Sequence, residues 1–132
     1  MKTKISAFSL TELLVVLVII GILVLLAVPS LMPLISKAKS TEAQIQLGHL
    51  YTLEKNYFYM HSKYTNDLDE LGFEQVKLVD QGGQANYRIE VSEASNSSFK
   101  ATATSITDFD QDGNFNVWEI DQDKNLSETV KD

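Results

Sequence analysis

The sequence contains no cysteine, only two prolines and a single arginine, Arg88. Without cysteine, the chain has no disulfide framework, no zinc-thiolate site and no thiol nucleophile. Basic residues are scarce, 11 against 18 acidic ones, and the formal net charge is −7. Because affinity for phosphate comes mainly from Lys and Arg, we expect no nucleic-acid partner. The two histidines, His49 and His61, are too few to assemble an obvious hydrolytic site, so we expect a non-enzyme.

The apolar residues are concentrated near the N-terminus. Hydrophobic residues make up 44% of the 132 residues, yet residues 13–28 contain no polar side chain at all. With the flanking residues 8–12 and 31–35, a helix over this run is long enough for a bilayer core of about 30 Å. Lys2 and Lys4 precede the run, which favours a cytoplasmic N-terminus. The sequence therefore predicts one membrane-spanning helix in front of a small acidic head.

A more specific pattern lies just before the apolar run. The letters KISA at residues 4–7 are followed by FSLTE at residues 8–12, and only then by the apolar residues. This pattern resembles the class III signal of type IV prepilins and pseudopilins. In that family a prepilin peptidase removes a short basic leader on the cytoplasmic side of the membrane. The new N-terminal residue, usually Phe, is then N-methylated.

The resemblance implies a leader of residues 1–7, cleavage between Ala7 and Phe8, and methylation of Phe8. Family members usually carry Gly before the cleaved bond. In this sequence the residue is Ala7, which is also small. The resemblance also implies that Glu12 is the family's glutamate, which pairs with the free α-amine of Phe8 on a neighbouring subunit. Because a lone carboxylate in an apolar helix is costly, such a pair would make assembly depend on processing.

The function implied by the resemblance is a structural subunit of a type IV pilus. The implied partners are prepilin peptidase, an inner-membrane assembly platform and further copies of the chain in a helical homopolymer. The precursor is expected to span the inner membrane once, and the assembled form is expected in an extracellular filament. One alternative is a type II secretion pseudopilin, although the Asp-Pro-Trp-Gly segment of major pseudopilins is missing. Another is a non-polymerising, membrane-anchored calcium-binding or adhesion module, which predicts an uncleaved Ala7–Phe8 bond.

Two helix-disfavouring residues fall inside the expected long helix. Gly21 and Pro29 resemble positions where pilin helices curve or melt on assembly, and proline removes a backbone donor. Pro33 follows one turn later. A helix that ends near Val28 is the alternative. Since a helical pattern resumes after Pro33, we expect a hydrophobic helix over residues 8–35 that continues into the next segment.

Residues 36–132 predict a globular head. Between residues 36 and 63, apolar positions recur at helical spacing, which indicates an amphipathic helix with Glu54 and Lys55 on its outer face. Alternating residues predict strands at 86–92, 99–104 and 115–120, and a weak strand at 76–79. The predicted fold class is α+β, a pilin fold in which a long N-terminal helix packs on a small antiparallel sheet.

An acidic segment before the last predicted strand has the D-x-D-x-D-G spacing of a calcium loop. The predicted Ca²⁺ ligands are Asp108, Asp110, Asp112, Asn114, Asn116 and Glu119, with Asn114 offering its backbone carbonyl. Asp121 and Asp123 are alternatives to the last two. The flanks predict strands rather than helices, so we expect a calcium loop on a pilin head and not an EF-hand domain. The competing interpretation is an acidic surface turn with Gly113 at its tip.

Overall fold

The computed structural model describes residues 7–132, apart from the side chains of Pro29, Ser30 and Met32. The chain divides into two compact units between Met32 and Pro33. One long helix, α1 (Leu10–His61), contributes residues to both units. The predicted leader, residues 1–7, lies outside the described residues except for Ala7.

In the first unit, α1 is apolar and exposed. The segment Leu10–Val28 has a mean hydropathy of 3.0, and none of it is buried. Its 19 residues extend about 28 Å as a helix, close to the roughly 30 Å of a bilayer core. By length and composition, this is the one helix within residues 7–132 that is suited to crossing a membrane.

The second unit combines the C-terminal half of α1 with a short helix, a 3₁₀ turn and four strands. The short helix is α2 (Leu68–Leu71), and the 3₁₀ turn covers Val79–Gln81. The strands are β1 (Tyr87–Ala94), β2 (Phe99–Ser105), β3 (Val117–Asp121) and β4 (Leu126–Val130). They form one antiparallel sheet in the order β1-β2-β3-β4. This arrangement confirms the predicted α+β class.

The core of the second unit contains side chains of both α1 and the sheet. Ala101 and Ala103 on β2 are fully buried and belong to the same core cluster as Leu47 and Leu50 of α1. The aromatic rings of Tyr51 and Phe99 also meet in this region, with their centroids 6.2 Å apart. The buried cluster consists of Ala43, Leu47, Leu50, Tyr57, Tyr64, Leu71, Phe73, Tyr87, Ile89, Phe99, Ala101, Ala103 and Ile120.

The segment between α1 and β1 is mostly irregular. Asp67 caps α2 by accepting backbone hydrogen bonds from its first turn, and Gly72 ends the helix in the left-handed conformation. The prediction of a strand at residues 76–79 was wrong. Leu78 forms only an isolated bridge with Ala85, before the 3₁₀ turn. The chain folds back so tightly here that a Cβ at Gly83 would collide with the carbonyl of Lys77.

Candidate functional sites

The residues predicted for processing lie immediately before α1. Ala7 and Phe8 are non-helical and exposed, and 84% of the Phe8 surface is accessible. An exposed, non-helical segment is the form of backbone on which proteolysis concentrates. The geometry is thus compatible with cleavage between Ala7 and Phe8.

A reciprocal pair of hydrogen bonds holds Glu12 at the start of α1. The Ser9 N–H donates to Glu12 Oε2 (3.1 Å), and the Glu12 N–H donates to Ser9 Oγ (3.2 Å). Together they form a capping box, which satisfies two N–H groups that the helix leaves free. The carboxylate also lies at the positive end of the helix dipole. The signal for this cap, Ser-x-x-Glu over residues 9–12, was present in the sequence but was not among the predictions.

The Glu12 carboxylate remains accessible in the isolated chain. Glu12 is exposed, and a carboxylate offers about four lone-pair positions, of which the contact with Ser9 uses one. A cationic group of a second chain therefore has room to approach the carboxylate while the capping box stays formed.

The predicted kink residues lie within an uninterrupted helical assignment. Both Gly21 and Pro29 belong to α1, which continues past Pro33. Within the described part of the chain, no neighbouring atom comes within 4 Å of the place that a Cβ would take at Gly21. A side chain would fit at this position, so the glycine is not required by close packing in the isolated chain. The predicted kink stays a prediction.

A second candidate site is a group of four carboxylates at the end of the sheet. Asp108, Asp110 and Asp112 lie on the loop between β2 and β3, and Asp132 follows β4. One oxygen from each of these residues lies within 4.8 Å of the others. Asp132 was not among the predicted ligands, because it is 20 or more positions away in the sequence and no spacing rule connects it to the loop.

Backbone hydrogen bonds hold these carboxylates in place. The Gly113 N–H donates to Asp108 Oδ2 at 2.7 Å. The N–H groups of Phe109 and Asp110 donate to the two carboxylate oxygens of Asp132 at 2.9 and 3.1 Å. Gly113 has a φ of 90°, which glycine adopts without strain and which lets the loop turn back.

The carboxyl groups of the acidic group have pKa values shifted in opposite directions. Partial loss of solvation and the neighbouring Asp132 carboxyl raise the pKa of Asp110 to about 6. Hydrogen bonds from the backbone and side chain of Asn114 lower the pKa of Asp112. Asp108 Oδ1 is buried and has no hydrogen-bond partner among the residues that the structure describes. A buried, unpaired carboxylate oxygen beside three further carboxylates suits a hard divalent cation such as Ca²⁺, which prefers oxygen ligands.

Two predicted ligands do not join this group. Asn116 is fully buried, and its amide is engaged with Tyr87, Trp118 and the β4 strand. The Asn116 side chain therefore bonds to the strands of the sheet and not to the acidic loop, which corrects the prediction that it is a calcium ligand. Glu119 lies on β3, paired with Thr102 on β2, and is not one of the converging carboxylates.

The remaining predicted residues of this region hold turns. Asn114 donates through its side-chain amide to Asp112 Oδ2 at 3.1 Å. Asp121 accepts from the backbone of Asp123 and Asn125, which closes the turn between β3 and β4. The Asp121 carboxylate is thus engaged in hydrogen bonds within the β3–β4 turn.

Comparison with known proteins identifies similarity at the N-terminus and beyond it. Residues 2–28 match a family model described as the prokaryotic N-terminal methylation motif. The type IV major pilin protein PilA of Myxococcus xanthus (strain DK1622) is 34% identical over 82 residues. The alignment covers 62% of this chain and 36% of the Myxococcus protein, so the chain matches about a third of that relative's length.

Proposed function

We propose that this chain, which matches the N-terminal methylation motif and is 34% identical to a type IV major pilin over 82 residues, is a structural subunit of a type IV pilus. The observation that carries the proposal is the methylation motif at residues 2–28, in which Leu10–Val28 forms an exposed apolar helix. This combination fits a precursor anchored in the membrane by Leu10–Val28. In the proposed filament, the same apolar surface is covered by the helices of other copies.

The proposal includes processing by prepilin peptidase, which releases residues 1–7 and exposes the amine of Phe8. We expect mass spectrometry of the purified protein to find an N-terminal peptide that begins with N-methylated Phe8. An Ala7→Gly variant restores the residue usual in the family and is expected to be cleaved as fully as the natural chain. An N-terminus at Met1 in the mature protein would contradict the proposal and favour the membrane-anchored module.

Assembly is proposed to proceed through Glu12 and the Phe8 amine of a neighbouring copy. In the apolar interior of a filament, an unpaired carboxylate is costly and an ammonium group offsets that cost. The capping box supports this role, because it holds the Glu12 carboxylate at the helix start without covering it.

A type II secretion pseudopilin is the alternative within the family. Pseudopilins share the methylation motif, so the match at residues 2–28 does not separate the two. The similarity to a protein named as a type IV major pilin supports the interpretation as a pilus subunit. Deletion of the gene in its own host separates the two, since loss of surface filaments is expected for a pilus subunit and loss of a secreted substrate for a pseudopilin.

We also propose that the four-carboxylate group binds Ca²⁺. Asp108, Asp110, Asp112 and Asp132 would hold the ion, and the ion would neutralise their mutual repulsion. The unpartnered Asp108 Oδ1 supports this assignment, since a buried carboxylate oxygen without a partner is expensive. The segment after β4 would then be tied to the loop between β2 and β3.

Calorimetry of the full chain in detergent tests this proposal. We expect calcium binding in the micromolar to millimolar range that is weakened at least about tenfold by Asp132→Asn, because a charged ligand is lost. Glu119→Gln is the matched control and is expected to bind like the natural chain. The absence of any binding heat, or equal weakening by both variants, would rule out the assigned ligand set.

A further inference from the structure

Glu54 occupies a position in α1 where an apolar side chain is expected. The buried positions of this part of the helix are Ala43, Leu47, Leu50, Glu54 and Tyr57, each three or four residues from the next. Glu54 itself is fully buried, with 0% of its surface exposed. The prediction that it lies on the outer face was wrong, and the spacing from Leu50 and Tyr57 was the signal that places it inside.

The buried carboxyl of Glu54 is only half satisfied. Its Oε2 accepts a hydrogen bond from the backbone N–H of Thr65 at 3.2 Å, while its Oε1 is buried without a hydrogen-bond partner in the described part of the chain. An ionised carboxylate in this position would lack the contacts that repay its desolvation. Burial accordingly raises the pKa of Glu54 to about 7, although the Thr65 hydrogen bond lowers it in part.

Thr65 connects this carboxyl to a second one. Its hydroxyl donates to Glu70 Oε2 at 3.0 Å, and the Tyr57 hydroxyl donates to the same oxygen at 3.1 Å. The titratable groups of this network are therefore Tyr57 on α1 and Glu70 on α2. The nearest cation along the helix, Lys55, donates to the Tyr64 hydroxyl at 2.9 Å and so contacts a different group.

We propose that protonation of Glu54 controls how firmly residues 65–71 are held against α1. When Glu54 is neutral, its contact with Thr65 closes this segment on the helix at little electrostatic cost. When Glu54 is ionised, the negative charge is buried with no cation of residues 7–132 hydrogen-bonded in the network, and Glu70 adds a second carboxylate beyond Thr65. Opening of residues 65–71 then relieves the cost by letting water reach the Glu54 carboxylate.

The direction of the pH dependence follows from the two states of Glu54. In the open state the carboxyl has its ordinary pKa near 4.5, and in the closed state the pKa is about 7. The closed state therefore keeps its full stability below pH 4.5 and loses it progressively as the pH rises to 7. Above pH 7 no further change from this group is expected.

Hydrogen exchange of the full chain in detergent tests the proposal. Corrected for the intrinsic exchange rate, protection of residues 65–71 is expected to fall on the order of 100-fold between pH 5 and pH 8. A Glu54→Gln variant keeps an acceptor for the Thr65 N–H but cannot ionise, so its protection is expected to be independent of pH. Glu74→Gln removes an exposed carboxylate nearby and is expected to keep the natural pH dependence.

Two results would overturn the proposal. One is protection of residues 65–71 in the natural chain that does not change between pH 5 and pH 8. The other is a pH dependence in Glu54→Gln as large as in the natural chain. If the variant does not fold, carboxyl ¹³C NMR of the natural chain decides, because titration of Glu54 at its ordinary pKa would contradict the proposal.

Discussion

Replacing Glu12 by Gln is expected to lower the amount of assembled filament at least about tenfold. Glutamine at this position retains an oxygen that can accept from the Ser9 N–H, so the capping box is kept. What is lost is the negative charge that we propose to pair with the Phe8 amine of a neighbouring copy. Breaking a buried ion pair by removing one partner costs about 3–5 kcal/mol, which is more than enough for this effect. Immunoblots of sheared filaments and of the membrane fraction measure it.

Ser9→Ala provides the control for the Glu12 experiment. This change removes the Oγ that accepts from the Glu12 N–H but keeps the carboxylate. It is expected to cost about 1 kcal/mol of helix stability and to leave filament yield near normal. Both variants need a check of the N-terminal mass, so that a processing defect is not mistaken for an assembly defect. Normal filament yield from Glu12→Gln would show that the charge is not needed.

Of the three strands that were predicted correctly, β1 and β2 have one buried face, whereas β3 is mostly half-buried. β1 alternates between buried and exposed side chains over its first four residues, and β2 alternates between buried and more accessible ones throughout; this pattern is readable in the sequence. β4 was not predicted, because it has no such face. Leu126 and Val130 at its ends are 37% and 39% exposed, and the strand is held by pairing with β3. Backbone hydrogen bonding does not depend on residue type, so the pairing of β4 cannot be read from its side chains.

The acidic site was predictable only in its local part. The spacing of Asp108, Asp110 and Asp112 could be read, since these residues share one loop. The approach of Asp132 depends on the antiparallel pairing of β3 and β4, which returns the chain to the same end of the sheet. The burial of Asn116 likewise depends on contacts with distant strands, so its place in a ligand spacing pattern was misleading.

Asn116→Ala is expected to destabilise the head strongly. The Asn116 Oδ1 accepts from the hydroxyl of Tyr87 (2.6 Å) and from the Trp118 Nε1–H (2.9 Å). Its amide donates to Glu128 Oε1 (2.6 Å) and to the carbonyl of Val130 (2.9 Å). Its own carbonyl accepts from the N–H of Ser105 at 2.8 Å, so this one residue contacts all four strands.

The alanine variant keeps the backbone contact but loses the four hydrogen bonds of the Asn116 side chain, three to side chains and one to the Val130 carbonyl. Because the Tyr87 hydroxyl is buried and the other three hydrogen bonds are partly buried, we expect a loss of about 3–5 kcal/mol in the free energy of unfolding. For a head of this size the loss corresponds to a Tm lower by roughly 15–25 °C. Trp118 is the only tryptophan in the chain and bonds directly to Asn116, so its fluorescence reports the unfolding of the detergent-solubilised protein.

Asn114→Ala is the matched control for Asn116. Its amide donates to Asp112 at the exposed loop, so the change is expected to alter the free energy of unfolding by no more than about 0.5 kcal/mol. Asn116→Asp separates hydrogen bonding from packing, because it keeps the Oδ1 acceptor but replaces the donor to Glu128 with a second negative charge. It is expected to destabilise the head more at neutral pH than at pH 4. An Asn116→Ala protein as stable as Asn114→Ala would mean that strand pairing and the apolar core hold the sheet together without this residue.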